Sequence, residues 1–227
     1  MLWYHPAPVT RYLIACDFDG TITRRDTLHL VVDRYGDPAM WDRLDGPLKR
    51  GEVTVEQAIE REFATVRATT REALELCRAE AGVRDGFTEF VAWARAEGHR
   101  LVVMSNGFRT VIDDLLGRIG MEDLPVVCHD VAFGPDGARI LWADRGERCA
   151  LCGRRCKRAE LAAVRGDEPV VYLGDGISDR CVSGAADIVF ARAGLAEWLD
   201  ETGRPYLPFE DFHAVRRSLE HLQEVAA

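Results

Sequence analysis

The sequence has no long apolar run that is free of charged residues. A helix that crosses a bilayer needs about 20 consecutive, mainly apolar residues, so we expect no membrane span and no membrane partner. The first residues also lack the basic start and the apolar stretch of a secretory signal. Together these two absences favour a cytoplasmic protein.

Positive charge is also scarce in this chain. The formal net charge is −9, with 29 Lys and Arg against 38 Asp and Glu. Proteins that bind nucleic acid usually present a basic face, so this balance argues against nucleic acid as a partner. Lysine is the rarer cation, since Lys49 and Lys157 are the only two lysines. An anionic substrate would therefore need positive groups gathered in one pocket.

The length of 227 residues allows one core of ordinary size and a smaller accessory unit. Apolar runs alternate with segments of helical periodicity, which predicts an α/β fold with a doubly wound, mainly parallel sheet. Between residues 24 and 83, however, helical patterns follow one another, and capping boxes begin at Thr54 and Thr69. Crossovers in βαβ units are usually far shorter. We therefore expect a core of residues 1–23 and 84–227 with a helical domain of residues 24–83; the alternative is a long crossover with purely structural helices.

Three of the predicted strands end in polar signatures. In a parallel sheet the carboxyl ends of the strands meet at one edge, where ligands bind. We therefore expect the three signatures to converge on one site. The residues concerned are Asp17, Asp19 and Gly20 after the first strand, Ser105, Asn106 and Gly107 after the second, and Asp175 and Asp179 after the third.

Each signature supplies a group that phosphoryl transfer requires. A metal ion offsets the repulsion between Asp17 and Asp19, so that one attacks as a nucleophile while the other handles protons. The hydroxyl of Ser105 and the backbone N–H groups after it suit an anion. Asp175, which is flanked by glycines, suits a hard cation such as Mg²⁺. Asp-x-Asp alone would favour a solvated turn, and the ordered set of three signatures favours the catalytic interpretation.

The first signature, Asp-Phe-Asp-Gly-Thr-Ile-Thr from Asp17 to Thr23, resembles the first motif of the haloacid dehalogenase superfamily of phosphohydrolases. Within it, the chain is similar to the phosphoserine-phosphatase-like branch, which includes the methionine-salvage enolphosphatase MtnX. The resemblance implies a Rossmann-like core with a type 1 helical cap. It also implies a Mg²⁺-dependent phosphomonoesterase that cleaves a small phosphorylated metabolite through an aspartyl-phosphate. Its substrate would then be 2-hydroxy-3-keto-5-methylthiopentenyl-1-phosphate or a phosphoserine-type ester.

The resemblance also implies a role for each site residue. Asp17 matches the nucleophile. Asp19 matches the residue that first protonates the leaving oxygen as an acid and then activates water as a base. Lys157 would bind phosphate, with a solvated helix residue as the alternative interpretation. Other phosphate or substrate contacts would come from Ser105, Asn106, Gly107, Gly20 and Arg25, and Mg²⁺ would be held by Asp17, by the backbone carbonyl of Asp19 and by Asp175, with Asp179 behind them.

Seven cysteines are present, and three of them cluster directly before Lys157. Cys149, Cys152 and Cys156 have spacings that can hold Zn²⁺ if a fourth ligand comes from elsewhere. The candidates for that ligand are Cys128 and His129. Reduced thiols without a metal are the alternative.

Rival functions remain at this point. A phosphotransferase would use the same aspartyl-phosphate but pass the phosphoryl group to an alcohol, and phosphate release without an acceptor would distinguish the two. A dehalogenase needs no leaving-group acid at Asp19, which disfavours it. A metal-linked binding or regulatory module would use the cysteine cluster, although the intact acids argue against it. The sequence does not distinguish a monomer from a homodimer.

Overall fold

The computed structural model describes residues 10–143, 148–154 and 156–226. In this part of the chain, seven strands form one sheet in the order β4-β3-β2-β1-β5-β6-β7. Neighbouring strands run parallel except β3 and β4, which form an antiparallel hairpin. The predicted α/β fold with a mainly parallel sheet is confirmed. The strands are β1 (Leu13–Cys16), β2 (Arg100–Phe108), β3 (Val126–Ala132), β4 (Arg139–Leu141), β5 (Val170–Gly174), β6 (Ile188–Ala191) and β7 (Leu207–Pro208).

Helices cover the sheet and fill the long connection after β1. Four of them lie between β1 and β2: α1 (Thr27–Tyr35), α2 (Ala39–Lys49), α3 (Val55–Phe63) and α4 (Thr70–Glu80). The others are α5 (Phe87–Ala96), α6 (Arg109–Gly117), α7 (Lys157–Val164), α8 (Arg180–Ser183), α9 (Ala193–Glu201) and α10 (Phe212–Ala226). The short helix α8 is not predicted from the sequence.

The central strand β1 is buried on both faces, because alternate residues of a strand point to opposite sides of the sheet. Ile14 and Cys16 join a large apolar cluster that contains Phe90 of α5. Leu13 and Ala15 join a second cluster on the other face, formed with α7 and α8. No residue of β1 exposes more than 1% of its surface. The strand that leads to Asp17 is therefore fixed from both sides.

Two of the helices between β1 and β2, α3 and α4, begin as the sequence predicts. Thr54 and Gln57 form a capping box at the start of α3, and Thr69 and Glu72 form another at the start of α4. Such caps satisfy backbone N–H groups that have no partner inside the helix. Phe63 of α3 packs edge-on against Phe108 of β2, with ring centroids 4.7 Å apart. This helical segment therefore packs directly on the sheet.

The two connections between this helical segment and the sheet run side by side. Thr23 and Val83 form an antiparallel bridge. The N–H of Arg84 donates to the carbonyl of Ile22 at 2.8 Å, and the N–H of Arg24 donates to that of Gly82 at 3.0 Å. The segment therefore leaves and rejoins the sheet at one place. Among the described residues, no helix is both long and apolar enough for a bilayer crossing.

Candidate active site

The loop after β1 holds two carboxylates at the edge of the sheet. The N–H of Asp17 still donates to Leu173 of β5 at 2.9 Å, so Asp17 continues the ladder. The chain then turns at Gly20, whose φ of 75° favours glycine. The carbonyl of Gly20 accepts hydrogen bonds from Arg84 at 2.7 Å and from Arg192 at 2.6 Å. These two arginines fix the loop, and no motif in the sequence points to them.

Lys157 lies beneath this loop and links two carboxylates. Its Nζ donates to Oδ1 of Asp17 and, at 2.7 Å, to Oδ1 of Asp179. Asp179 also accepts the hydroxyl of Tyr172 at 2.6 Å and the N–H groups of Asp175 and Gly176, both at 3.0 Å. Both oxygens of Asp179 are therefore engaged, which suits a group that positions its neighbours. The sequence contains no signal for Tyr172, which reads as an ordinary strand residue.

Burial dominates the electrostatics of this group. It raises the pKa of Asp17 well above its usual range; the charge of Asp179 adds to this effect, and the ammonium of Lys157 opposes it. Burial alone would lower the pKa of Lys157, but the two carboxylates outweigh it and the net shift is upward. Lys157 therefore stays charged. Burial, followed by the charge of Asp179, also raises the pKa of Asp175 to about 7.

Three carboxylates converge beside Lys157 in a way that fits a hard cation. Asp17, Asp175 and Asp179 each have an oxygen within 4.8 Å of the others. One ammonium cannot balance three carboxylates, and Mg²⁺ prefers oxygen ligands of this kind. A Cβ at Gly20 would collide with Oδ2 of Asp175, so the loop approaches this closely only with glycine. The residues present therefore fit Mg²⁺.

Asp19 points away from this metal-binding group, towards the helical segment. Its Oδ1 accepts the N–H of Thr27 at 2.9 Å and the hydroxyl of Thr27 at 2.5 Å. Its Oδ2 accepts the hydroxyl of Ser105 at 3.1 Å. Burial is the main cause that raises its pKa to about 6. A carboxyl group with this pKa can donate and accept a proton near neutral pH.

The second signature lies next to Asp19. Ser105 is buried, and its Oγ accepts the N–H of Gly107 at 2.8 Å while it donates to Asp19. The sequence predicts that this N–H serves an anion, but here Ser105 uses it. Ser105, Asn106 and Gly107 all line the cavity above the sheet edge. A Cβ at Gly107 would lie 2.6 Å from Oδ2 of Asp19, which explains the glycine.

The cavity above these residues has a volume of about 690 Å³. Its floor includes Asp17, Asp19 and Asp175, and α1–α3 form much of its roof. His29 and Lys49 also line it. The sequence did not identify the apolar wall, because helical periodicity does not show which buried face meets a ligand. The large residues of that wall are Leu28, Trp41, Leu48, Ile59, Ile177 and Trp198.

Glu62 is a polar residue in this roof to which no motif in the sequence points. It lines the cavity and exposes only 3% of its surface. Its Oε1 has no hydrogen-bond partner among the described residues. Burial raises its pKa to about 7, and nearby His29 acts in the opposite direction. A substrate group that donates a hydrogen bond could satisfy this oxygen.

The expectation for Arg25 is wrong. Its guanidinium forms an ion pair with Glu80 at 2.5 Å, and its side chain is 53% exposed. It is not among the residues that line the cavity. Asp26 beside it caps α1, where its Oδ1 accepts the N–H groups of Leu28 and His29 at 2.8 and 3.0 Å. Helix α1 therefore turns Arg25 outward, which its position directly after the motif does not reveal.

Comparison with known proteins shows the family of this chain. Residues 14–183 match the sequence model of the haloacid dehalogenase-like hydrolases. The chain belongs to this family. It is 30% identical to a 2-hydroxy-3-keto-5-methylthiopentenyl-1-phosphate phosphatase of Geobacillus kaustophilus, over 96% of this chain and 100% of the relative. A second such phosphatase, of Brevibacillus brevis, is 28% identical over 94% of this chain and 97% of the relative.

The fold has equally clear counterparts among solved structures. A phosphoserine phosphatase with a phospho-aspartyl intermediate analogue matches with a TM-score of 0.70 and 16% identity, over 92% of this chain and 99% of the other. A substrate-bound phosphoserine phosphatase matches with a TM-score of 0.68 and 16% identity, over 92% and 98%. This haloacid dehalogenase-like hydrolase is a phosphatase that acts on a small phosphorylated metabolite. Phosphatases of the family generally use Mg²⁺.

Proposed function

We propose that this phosphatase uses Mg²⁺ and hydrolyses 2-hydroxy-3-keto-5-methylthiopentenyl-1-phosphate through an aspartyl-phosphate on Asp17. The observation that carries the proposal is that a buried, lysine-bound Asp17 and an Asp19 with a pKa raised to about 6 both lie at the floor of one cavity. The relatives named as phosphatases of this compound match nearly the whole chain, which supports the choice of substrate.

Asp17 is the nucleophile in this proposal. Lys157 holds its Oδ1, which leaves Oδ2 to attack phosphorus. A bond forms between this oxygen and phosphorus while the bond from phosphorus to the ester oxygen breaks. Asp19 gives its proton to the departing oxygen. A water molecule then attacks the phosphorus and gives a proton back to Asp19, which releases phosphate and restores Asp17.

Mg²⁺ would be held by the carboxylates of Asp17 and Asp175 and by the backbone carbonyl of Asp19. When bound, the ion would offset the negative charge of the phosphoryl group and of the carboxylates. Asp179 would remain behind these ligands, because its oxygens already accept hydrogen bonds from Lys157, Tyr172 and two backbone N–H groups. Ser105 would hold a phosphate oxygen and orient Asp19.

Residues 24–83 would form the cap, and residues 1–23 with 84–227 would form the core. The adjacent connections at Thr23 and Val83 support this division, because a unit that leaves and rejoins the sheet at one place can move as a body. Thr27, the first residue of α1, donates two hydrogen bonds to Asp19. These bonds connect the proposed cap with the proposed leaving-group acid. Placement of the cap would therefore affect the leaving-group acid.

The cavity wall favours the enol phosphate over phosphoserine. Trp41, Ile59 and Trp198 offer an apolar surface for a methylthio end, and Glu62 offers an acceptor for a hydroxyl. Phosphoserine presents an ammonium and a carboxylate, which need charged partners. Arg25, predicted as a substrate contact, pairs with Glu80 outside the cavity, and the cations that line the cavity are Lys49 and Arg180.

The decisive experiment is a substrate panel assayed with purified full-length protein and Mg²⁺. We expect kcat/KM for the enol phosphate to exceed that for phosphoserine by at least about 100-fold, a difference of roughly 3 kcal/mol in transition-state binding. A preference for phosphoserine would overturn the substrate assignment.

Phosphate should be released without an alcohol acceptor; release of a phosphorylated alcohol alone would indicate a phosphotransferase. Chelation should stop turnover and added Mg²⁺ should restore it.

A further inference from the structure

We propose that Cys149, Cys152, Cys156 and Cys181 form a structural zinc site beside the active site. Their four Sγ atoms all lie within 4.8 Å of one another. The Sγ atoms of Cys149 and Cys181 are 3.8 Å apart, and those of Cys152 and Cys156 are 3.6 Å apart. Zinc binds thiolate sulfur at about 2.3 Å with tetrahedral geometry, which places neighbouring sulfurs about 3.8 Å apart. The observed spacing is therefore that of a tetrathiolate site.

These sulfur distances are too long for disulfides, whose S–S bond is about 2.05 Å. None of these four cysteines forms a disulfide in the structure. Four soft sulfur ligands select Zn²⁺ rather than Mg²⁺, whereas the carboxylates of the active site prefer Mg²⁺. The two sites therefore suit different metals.

The backbone around the first two cysteines is folded as a tight turn. The N–H of Gly153 donates to the carbonyl of Cys149 at 2.8 Å, and the N–H of Cys149 donates to the carbonyl of Arg154 at 2.8 Å. Gly153 has a φ of +67°, which favours glycine directly after the second cysteine. This turn brings Cys149 and Cys152 to the same side, at a spacing common in zinc sites.

The fourth ligand comes from a distant element. Cys181 lies on α8, 32 residues after Cys149. The structure groups Cys181 with the three cysteines in place of the two candidates from the sequence. Of those two, Cys128 is buried in the large apolar cluster, and Nδ1 of His129 accepts the N–H of Ala143 at 3.3 Å. Cys181 lies two residues after the third polar signature, and no spacing pattern in the sequence connects it with the other three cysteines. Only the packing of α7 against α8 brings it to the cluster.

The site would connect two segments that carry active-site residues. Cys156 directly precedes Lys157, the first residue of α7, and Cys181 lies two residues after Asp179. Nζ of Lys157 and Oδ1 of Asp179 are 2.7 Å apart. Zinc would thus hold in place the two chain segments whose side chains support Asp17. Its role is positioning, since none of the four cysteines lines the catalytic cavity.

Metal analysis of the purified full-length protein tests the proposal. We expect about one zinc per chain, loss of that zinc in Cys152→Ser and in Cys181→Ser, and retention in Cys77→Ala. Cys77 is a buried cysteine outside the cluster, so it controls for nonspecific thiol binding. Retention of zinc in Cys181→Ser would overturn the four-ligand site and would point to the carboxylates instead.

Cobalt substitution of the wild-type protein gives a second readout that does not depend on how the variants fold. We expect an intense sulfur-to-cobalt charge-transfer band and the visible bands of tetrahedral Co²⁺. Absence of both bands, with the four thiols titrating freely in the native protein, would overturn the proposal. So would a disulfide between any two of these cysteines in protein purified without reductant. All these readouts are independent of phosphatase activity, so they remain valid if the proposed substrate is wrong.

Discussion

Nζ of Lys157 donates a hydrogen bond to Oδ1 of Asp17 under the cavity, and neither side chain exposes more than 5% of its surface. The same ammonium contacts Asp179, which is fully buried. Lys157 is therefore the cation that keeps two buried carboxylates paired. The sequence assigns it to phosphate binding, whereas in the structure its ammonium also binds Asp17, the proposed nucleophile.

Replacement of Lys157 by methionine should destabilise the fold as well as stop catalysis. Loss of one partner of a buried ion pair typically costs about 3–5 kcal/mol, and here two carboxylates lose their cation. We expect a lower free energy of unfolding by about that amount in urea titrations without Mg²⁺. Lys49→Met is the matched control, because Lys49 is 60% exposed. Equal stability of the two variants would contradict the supporting role.

Asp17→Asn should abolish turnover but leave the fold intact. The amide is a poor nucleophile, so no phospho-enzyme should form in rapid-quench experiments, and turnover should fall by at least about 10³-fold. Burial raises the pKa of Asp17, so its charge is costly in the folded state and its removal should not lower Tm by more than a few degrees. Asp113→Asn, on the exposed face of α6, should keep full activity. Normal turnover in Asp17→Asn would remove Asp17 as the nucleophile.

Asp19→Asn should affect substrates according to their leaving group. Without a proton donor, expulsion of an alkoxide is much slower, whereas an aryl phosphate needs little protonation. We expect the loss in kcat/KM to be at least about 10-fold larger for an alkyl phosphate than for an aryl phosphate. Equal losses for both would show that Asp19 acts in binding or folding and not as the acid.

Gly20→Ala should weaken metal binding through a collision with Asp175. The added Cβ would overlap Oδ2 of Asp175, and the φ of +75° adds backbone strain. We expect the apparent affinity for Mg²⁺ in activity titrations to fall by at least about 10-fold, which corresponds to roughly 1.4 kcal/mol. Gly51→Ala is a close control, since Gly51 has a φ of +74° but no atom near its missing Cβ. If both variants lose Mg²⁺ affinity equally, the collision is not the cause.

Much of the core of this site could be predicted because strand ends carry their chemistry in local sequence. Asp17 and Asp175 directly follow β1 and β5, whereas Ser105 follows the apolar run of β2 but still lies inside that strand. A parallel sheet brings such ends to one edge. The capping boxes at Thr54 and Thr69 were equally local, and the structure confirms both. These features depend on neighbours in the chain.

The features that the sequence did not reveal depend on contacts between distant segments. Cys181 joins the cysteine cluster only because α8 packs on α7, and Tyr172 contacts Asp179 only through the turn after β5. Arg25 was misplaced because the start of α1 decides which way it points. Trp198 belongs to the cavity wall through the packing of α9, which no local pattern encodes.

The buried Glu62 should make stability depend on pH in a defined window. Its folded pKa is about 7, against 4.5 for an ordinary glutamate. Well below pH 4.5 the Glu62 side chain is protonated in both the folded and the unfolded state, so it does not lower the free energy of unfolding. Between pH 4.5 and 7 the unfolded chain releases a proton that the folded protein keeps, so the folded state loses relative stability as pH rises. Above pH 7 the penalty stays constant at about 3 kcal/mol.

Glu62→Gln removes this penalty, so the variant should be more stable than the wild type at pH 8 and equal to it near pH 4. The difference in the free energy of unfolding, measured by urea titration at a series of pH values, should grow between pH 4.5 and 7. Glu56→Gln on the same helix is the control for a general charge effect. If that control shows the same pH dependence, or if Glu62→Gln is no more stable at pH 8, burial of an ionisable Glu62 is not the cause.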